Sequence, residues 1–227
     1  MEDGDTQLFL AVDLFERLSR EEIEGFAGAI PTKDFDQGHH IYTTSYRGGI
    51  FFLLLQGRVR VYRMEGRQEI TLSVIQPGGM FGEAAFTDRW RKGAFAQALE
   101  PSKVALFSRK TFDRLLDEKP QIGLKAMEIL SDRLSLYEAR ISDISTKNVL
   151  PRLASLILDL ARSEGVTVHE GYEIPTHYTH EQLGSMIGAK RVAVTRALTR
   201  LRKCGVVEVR RRRLYVKDAG SLQRIAE

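Results

Sequence analysis

A change of hydrophobic period most constrains what this chain can fold into. Between residues 34 and 108 apolar residues come in short alternating or continuous runs punctuated by glycine. Further on, Met127, Leu130, Leu134, Tyr137, Ile141 and Ile144 recur at spacings of 3, 4, 3, 4 and 3. The first pattern belongs to β-strands and the second to a heptad seam on one long helix. A seam this narrow can pack on its own domain or against a second helix. Its length beside a strand-rich unit favours a helix–helix dimer, so a second copy of the chain is the first expected partner.

The strand-rich part reads IYTT (41–44), GIFFLLLQG (49–57), RVRVYRMEG (58–66), EITLSVIQPGG (69–79) and FAQALEPSKVALFS (95–108). Short strands at this regular spacing predict a small barrel or jelly roll. In RVRVYR the period of two is read as Val59, Val61 and Met64 inward, with Arg58, Arg60 and Arg63 outward. Before the strands, Ser19 to Glu22 has the S-x-x-E capping-box form and starts a short helix that runs to about Ile30 and is ended by Pro31. After them, 109–118 reads as a brief helix and Pro120 opens the long one. The seam fades around Ser145–Val149, a natural hinge. RLASLILDLARSEG (152–165) follows as an amphipathic helix, with Gly165 in the helix-ending C′ role. The expected domains are a β-barrel domain at 1–119, a dimerisation helix at 120–147 and a third unit at 148–227.

Charge divides the chain at the same place. Residues 1–150 hold 20 Lys and Arg against 22 Asp and Glu, whereas 151–227 hold 14 against 8. Within 189–217, 11 basic residues face the single acid Glu208. A basic unit on a near-neutral body points to a polyanion, foremost nucleic acid. Cys204 is the only cysteine, which excludes an intrachain disulfide, a cysteine-ligated iron–sulfur cluster and a Cys-rich zinc site. The N-terminus lacks the build of a signal peptide, and no run of about eighteen apolar residues exists. The expectation is a cytoplasmic protein without a membrane partner.

In the basic unit, Thr179, His180, Glu181 and Gln182 form a second capping box, and the helix it opens is stopped by Gly188. Another helix follows from Lys190 or Arg191 to about Lys203, with Val194, Ala197, Leu198 and Leu201 as its buried stripe. Two helices joined by a glycine-containing turn make a helix-turn-helix. VVEVRRRRLYVKD then reads as a two-stranded wing whose turn carries Arg210, Arg211, Arg212 and Arg213, suited to phosphate oxygens. The wet face of the second helix presents Arg191, Val192, Thr195 and Arg196. In a major groove an arginine can bond two acceptors of one guanine and a valine can touch a thymine methyl. A stray surface valine and a solvated hairpin are the plainer readings of the same residues.

Barrel, long helix and winged helix-turn-helix together resemble the cyclic-AMP receptor protein / fumarate-nitrate-reductase regulator (Crp/Fnr) family of bacterial transcription factors. The resemblance spans nearly the whole chain and is carried by LLLQGRVRVY (53–62), QPGGMFGEAAF (76–86) and THEQLGSMIGAKRVAVTRALTRLRKCGVV (179–207). It implies an α+β chain: an N-terminal cyclic-nucleotide-binding-type β jelly roll, a long dimerisation helix and a C-terminal winged helix-turn-helix. The implied function is that of a homodimeric activator that binds double-stranded DNA and works with RNA polymerase. Within the family, R-V-x-V-T-R is similar to the cyanobacterial nitrogen-control regulator, which implies a palindrome with GTA-type half-sites. Lys190 departs from the pattern, because a Ser or Thr commonly caps the recognition helix there.

In the family, the segment matching Phe81, Gly82, Glu83, Ala84 and Ala85 turns its backbone N–H groups toward a small anionic ligand; a plain barrel corner would look the same. Cyclic-nucleotide members follow it with an Arg–Ser pair that clamps the phosphate. The matching positions here are Lys92 and Gly93, preceded by Arg91. The bidentate geometry is thereby lost, which argues against cyclic AMP. Arg133 and Glu138 on the long helix are similar to an Arg and a Glu that help bind 2-oxoglutarate in the nitrogen regulator, with Tyr137 placed to close the pocket, making that dicarboxylate a candidate effector; charged residues flanking a coiled-coil seam are the plainer reading. A regulator without effector, controlled by its abundance, is the alternative. Haem is not expected, since the five histidines fall at 39–40 and 169–180. A cupin-like metalloenzyme would need more ligands than His39 and His40, so the chain is not read as an enzyme.

Overall fold

The computed structural model describes residues 3–43, 49–66, 68–82 and 94–227. Chain contacts divide it into two units, Met1–Ser135 and Leu136–Glu227, with the division inside the long helix.

The first unit begins with α1 (Asp3–Leu10) and α2 (Arg20–Ala27), the latter opened by the Ser19 capping box with both of its hydrogen bonds formed. Among the described residues eight strands follow: β1 (Thr32–Phe35), β2 (His40–Tyr42), β3 (Ile50–Gln56), β4 (Val59–Glu65), β5 (Gln68–Ile75), β6 (Met80–Phe81), β7 (Ala94–Ala98) and β8 (Ser102–Ser108). They form two antiparallel sheets ordered β1-β8-β3-β6 and β2-β7-β4-β5, a jelly-roll arrangement. Then come α3 (Arg109–Glu118) and the start of α4 (Pro120–Thr146), where proline takes the first helical position.

The continuous apolar run of β3 is explained by cover on both of its faces. Phe51, Leu53 and Leu55 join Phe107, Phe9, Phe15, Ile23 and Phe112 in a core between sheet and helices. Phe52 and Leu54 alternate into a second core with Tyr42, Val59, Phe81, Ala96 and Val104. A strand buried on one face alone would have alternated with polar residues.

Strand β4 corrects part of the sequence reading. Val59 and Val61 do pair with the core residues Ala98 and Ala96, while Arg60 and Tyr62 pair with Gln97 and Phe95 on the other face. That face is not wet at Arg60, which is only 4% exposed. Its guanidinium lies 4.1 Å from the Tyr62 ring centroid and bonds Glu69 at 2.7 Å and Gln97 at 3.2 Å. Met64, expected inward, is exposed, because an odd step of three from Val61 lands on the opposite face.

Helix α4 uses separate faces. Ile122 and Ala126, with Ile129 partly buried, pack on the first unit's core. The heptad positions Met127, Leu130, Leu134, Ile141 and Ile144 stay 40–65% exposed, and Tyr137 is half-buried. Packing on its own domain therefore accounts for a different stripe and leaves the seam uncovered.

The second unit contains the end of α4, then α5 (Val149–Glu164), β9 (Val166–Val168), β10 (Gly171–Ile174), α6 (His180–Ile187), α7 (Arg191–Lys203), β11 (Val207–Arg210), β12 (Arg213–Val216) and α8 (Ala219–Ala226). Two residues, Lys147 and Asn148, separate α4 from α5. Gly165 does end α5, but at φ −66° rather than in a left-handed C′ conformation. Glycine is required there because a Cβ would lie 2.1 Å from the Ala161 carbonyl oxygen. The wing is not an isolated hairpin. Strands β9 and β10, which the sequence reading did not identify, extend it to a four-stranded sheet ordered β11-β12-β10-β9.

Candidate nucleic-acid interface

Helix α6 starts at a complete capping box. The Thr179 hydroxyl accepts from the Gln182 backbone N–H, and the Gln182 side chain accepts from that of Thr179. It stops at Gly188, whose φ of +63° is the left-handed conformation glycine adopts without cost. Close approach of the two helices rests on Gly184, where a Cβ would lie 2.5 Å from the Ala189 carbonyl oxygen and 3.4 Å from Val194. Helix α7 then begins at Lys190, which supplies no side-chain cap. The positive end of its dipole thus has no capping side chain, as suits an anion-binding helix start.

Val194, Ala197, Leu198 and Leu201 are the buried residues of α7, as their spacing predicts. The opposite face carries Arg191, Val192, Thr195 and Arg196, all exposed, with Val192 at 61%. Two arginines and a bare isopropyl group thus share one accessible surface. His180 joins them from α6: its Nδ1 lies 2.8 Å from the Thr195 hydroxyl, which itself donates to the Arg191 carbonyl at 3.0 Å. With that hydroxyl's proton committed, it accepts from the Nδ1–H of His180. The bond ties the starts of the two helices together.

The wing places its four arginines differently. Arg210 and Arg213 are the last paired residues of the β11–β12 ladder, and Arg211 and Arg212 form the turn with φ of 46° and 66°. Glu208 holds Arg210 through two bonds of 2.7 Å, and Glu173 holds Arg213 at 2.6 Å. Glu170 accepts from Lys217 at 3.0 Å. The hydrogen bond from Arg210 lowers the pKa of Glu208, that from Arg213 lowers Glu173 and that from Lys217 lowers Glu170, each outweighing a small desolvation. The carboxylates were not foreseen as partners of the wing, because two of them lie on the overlooked β9–β10 hairpin.

The residues read as an effector site are only partly brought together. Glu83, Ala84, Ala85, Arg91, Lys92 and Gly93 lie outside the described residues. The Phe81 side chain is committed to the barrel core, stacked 5.2 Å from Phe52, so only its backbone remains for a ligand. Gly82 has φ +79°, and a Cβ there would lie 2.9 Å from the Phe52 ring. Arg133 donates to the carbonyl of Met80, which sets a helix guanidinium against the backbone that leads into Phe81 and Gly82. Tyr137 is half-buried and Glu138 exposed in the other unit. His40 bonds the Tyr62 hydroxyl at 3.0 Å, and His39 lies 3.6 Å from Asp36. Among the described residues no three His, Cys, Asp or Glu gather as a metal site.

Comparison with known proteins adds to this geometry. Residues 32–119 match the cyclic nucleotide-binding domain family and 151–225 the Crp-like helix-turn-helix domain family. The cAMP-activated global transcriptional regulator CRP of Pasteurella multocida is 30% identical over 66% of this chain and 72% of its own. The cyclic AMP receptor protein of Thermus thermophilus is 27% identical over 94% of this chain and 96% of its own. The global nitrogen regulator of Synechococcus elongatus is 27% identical over 84% and 88%. Among solved structures, a CooA mutant of Carboxydothermus hydrogenoformans superposes with a TM-score of 0.77 at 24% identity, covering 100% of this chain and 98% of that one. A CRP/FNR-family transcriptional regulator of Thermus thermophilus gives 0.71 at 23%, covering 86% and 98%.

Proposed function

Because the chain belongs to the Crp/Fnr family of DNA-binding transcription regulators and not to an enzyme family, we propose that it acts as a homodimer reading a palindrome with GTA-type half-sites. The observation that carries this reading is Val192, 61% exposed between Arg191 and Arg196 on the outer face of α7. An apolar group costs nothing there if it meets a thymine methyl while an arginine takes the neighbouring guanine. Thr179, His180 and the uncapped helix start at Lys190 face the phosphates that fix register, and Arg210 to Arg213 form the wing's cationic edge. The uncovered seam of α4 supports a dimer that sets two recognition helices about one turn of DNA apart.

A small anion is the proposed effector, with 2-oxoglutarate as the candidate. The match of 32–119 to cyclic nucleotide-binding domains supports ligand control, and the Arg133 guanidinium at the Met80 carbonyl, just before Phe81 and Gly82, supports an anionic ligand. The replacement of the phosphate-clamping Arg–Ser pair by Lys92 and Gly93 argues against cyclic AMP. Contact with RNA polymerase belongs to the same proposal, as the resemblance to the family implies.

The test is fluorescence anisotropy on a GTA-N-TAC palindrome and on a TGTGA-type duplex, each with and without 2-oxoglutarate. Preference for the first, lost on Val192→Glu at that one base position, is expected. An unchanged site preference in Val192→Glu would sink the readout. No effect of the dicarboxylate would remove it as effector and favour control by abundance.

A further inference from the structure

The wing's run of four arginines is two pairs in different chemical states. Arg210 and Arg213 close the ladder and are held by carboxylates: Glu208 takes Arg210 through both of its oxygens at 2.7 Å, and Glu173 takes Arg213 at 2.6 Å. Both glutamates pair with Tyr215 across the sheet, so the carboxylates stand in one row flanking the arginines. Arg211 and Arg212 occupy the turn itself, exposed, both at positive φ. Two-residue hairpin turns of this kind favour Asn-Gly, Asp-Gly or Gly-Gly, because side chains crowd the backbone there. Two arginines kept at the least accommodating positions mark a place where charge is wanted despite the conformation.

Resting on the DNA-binding reading above, we propose that Arg211 and Arg212 are the wing's phosphate contacts, while Arg210 and Arg213 are positioning residues that brace the turn through Glu208 and Glu173. The two-oxygen grip on Arg210 takes its Nε/Nη2 edge, one of the two forks with which a guanidinium can hold a phosphate. A phosphate that takes this edge must displace Glu208, exchanging one anion for another, and one that takes the other edge meets a charge already offset by the carboxylate. An arginine neutralised in this way releases little of the DNA's counterion atmosphere and contributes little to the salt dependence of binding. Glu208 and Glu173 therefore set how much of the wing's charge the DNA meets.

Salt dependence of duplex binding by the full-length protein tests this, since each phosphate contact adds about 0.9 to the slope of log K against log salt. Arg211→Ala and Arg212→Ala are each expected to flatten the slope by about that amount. Arg210→Ala is expected to leave it nearly unchanged. Glu208→Gln, which releases Arg210, is expected to steepen it by about 0.9, whereas Glu227→Gln in the exposed C-terminal position is not. If Arg210→Ala disturbs the wing's folding, the comparison of Glu208→Gln with Glu227→Gln decides alone. Equal flattening by Arg210→Ala and Arg211→Ala, or indistinguishable slopes for the two glutamate variants, overturns the partition. A wild-type chain without steep salt dependence overturns the DNA-binding reading itself.

Discussion

Arg211 and Arg212 carry a conformational cost of about 1–2 kcal/mol each, the usual penalty for a side chain in left-handed backbone. Replacing them by Asn and Gly should therefore stabilise the second unit by about 2 kcal/mol while weakening duplex binding; a thermal melt and a binding isotherm on the same double variant check both. Stability without loss of binding would mean that the tip meets no phosphate. Their neighbours respond to pH. The Arg210 hydrogen bond holds the Glu208 pKa below its ordinary 4.5, so the pair's contribution is present above that value and fades as pH falls through the lowered one. An NMR titration of Glu208 should find its midpoint below 4.5; a midpoint at or above it would deny the pair. At this scale the exposed face of α7 was legible, because a buried stripe of Val194, Ala197, Leu198 and Leu201 leaves Val192 nowhere but outside. Arg60 was not legible in the same way: its partners Glu69 and Gln97 sit on other strands, and only the register brings them to it.

Helix ends could be read where the signal lies in adjacent residues, as at the capping boxes of Ser19 and Thr179. Strands β9 and β10 escaped because each is three or four residues long and acquires its role only by pairing, β10 with β12 and β9 with β10. Two helical glycines separate local propensity from packing. A Cβ on Gly25 in α2 would meet nothing within 4 Å, so Gly25→Ala should gain about 1 kcal/mol of helix stability. A Cβ on Gly184 in α6 would lie 2.5 Å from the Ala189 carbonyl oxygen, so Gly184→Ala should cost about 1–3 kcal/mol. Calorimetry that found both substitutions stabilising would show that the helix-turn-helix does not need its close turn. The expected loss should also weaken DNA binding, since that turn fixes the angle between α6 and the reading helix.

The seam of α4 was visible in sequence as a spacing, but its use depends on which stripe the helix gives to its own domain. Ile122, Ala126 and Ile129 take that part, and Met127, Leu130, Leu134, Ile141 and Ile144 are left apolar and 40–65% exposed. Apolar side chains at heptad spacing bury well against a like helix. Leu134→Glu places a charge in the middle of that stripe, where it would be desolvated in a dimer and harmless in a monomer. Sedimentation should show the wild-type chain as a dimer and the variant as a monomer with an unchanged melting profile for each unit. Joining two half-site readers raises their combined affinity by roughly 10²–10⁴ through effective concentration alone. Palindrome binding should thus fall by about that factor in Leu134→Glu, to the level of a single half-site. A variant that stays dimeric would move the interface away from α4. A monomer that still binds the palindrome as tightly would mean that the seam joins the chains without organising their reading of DNA.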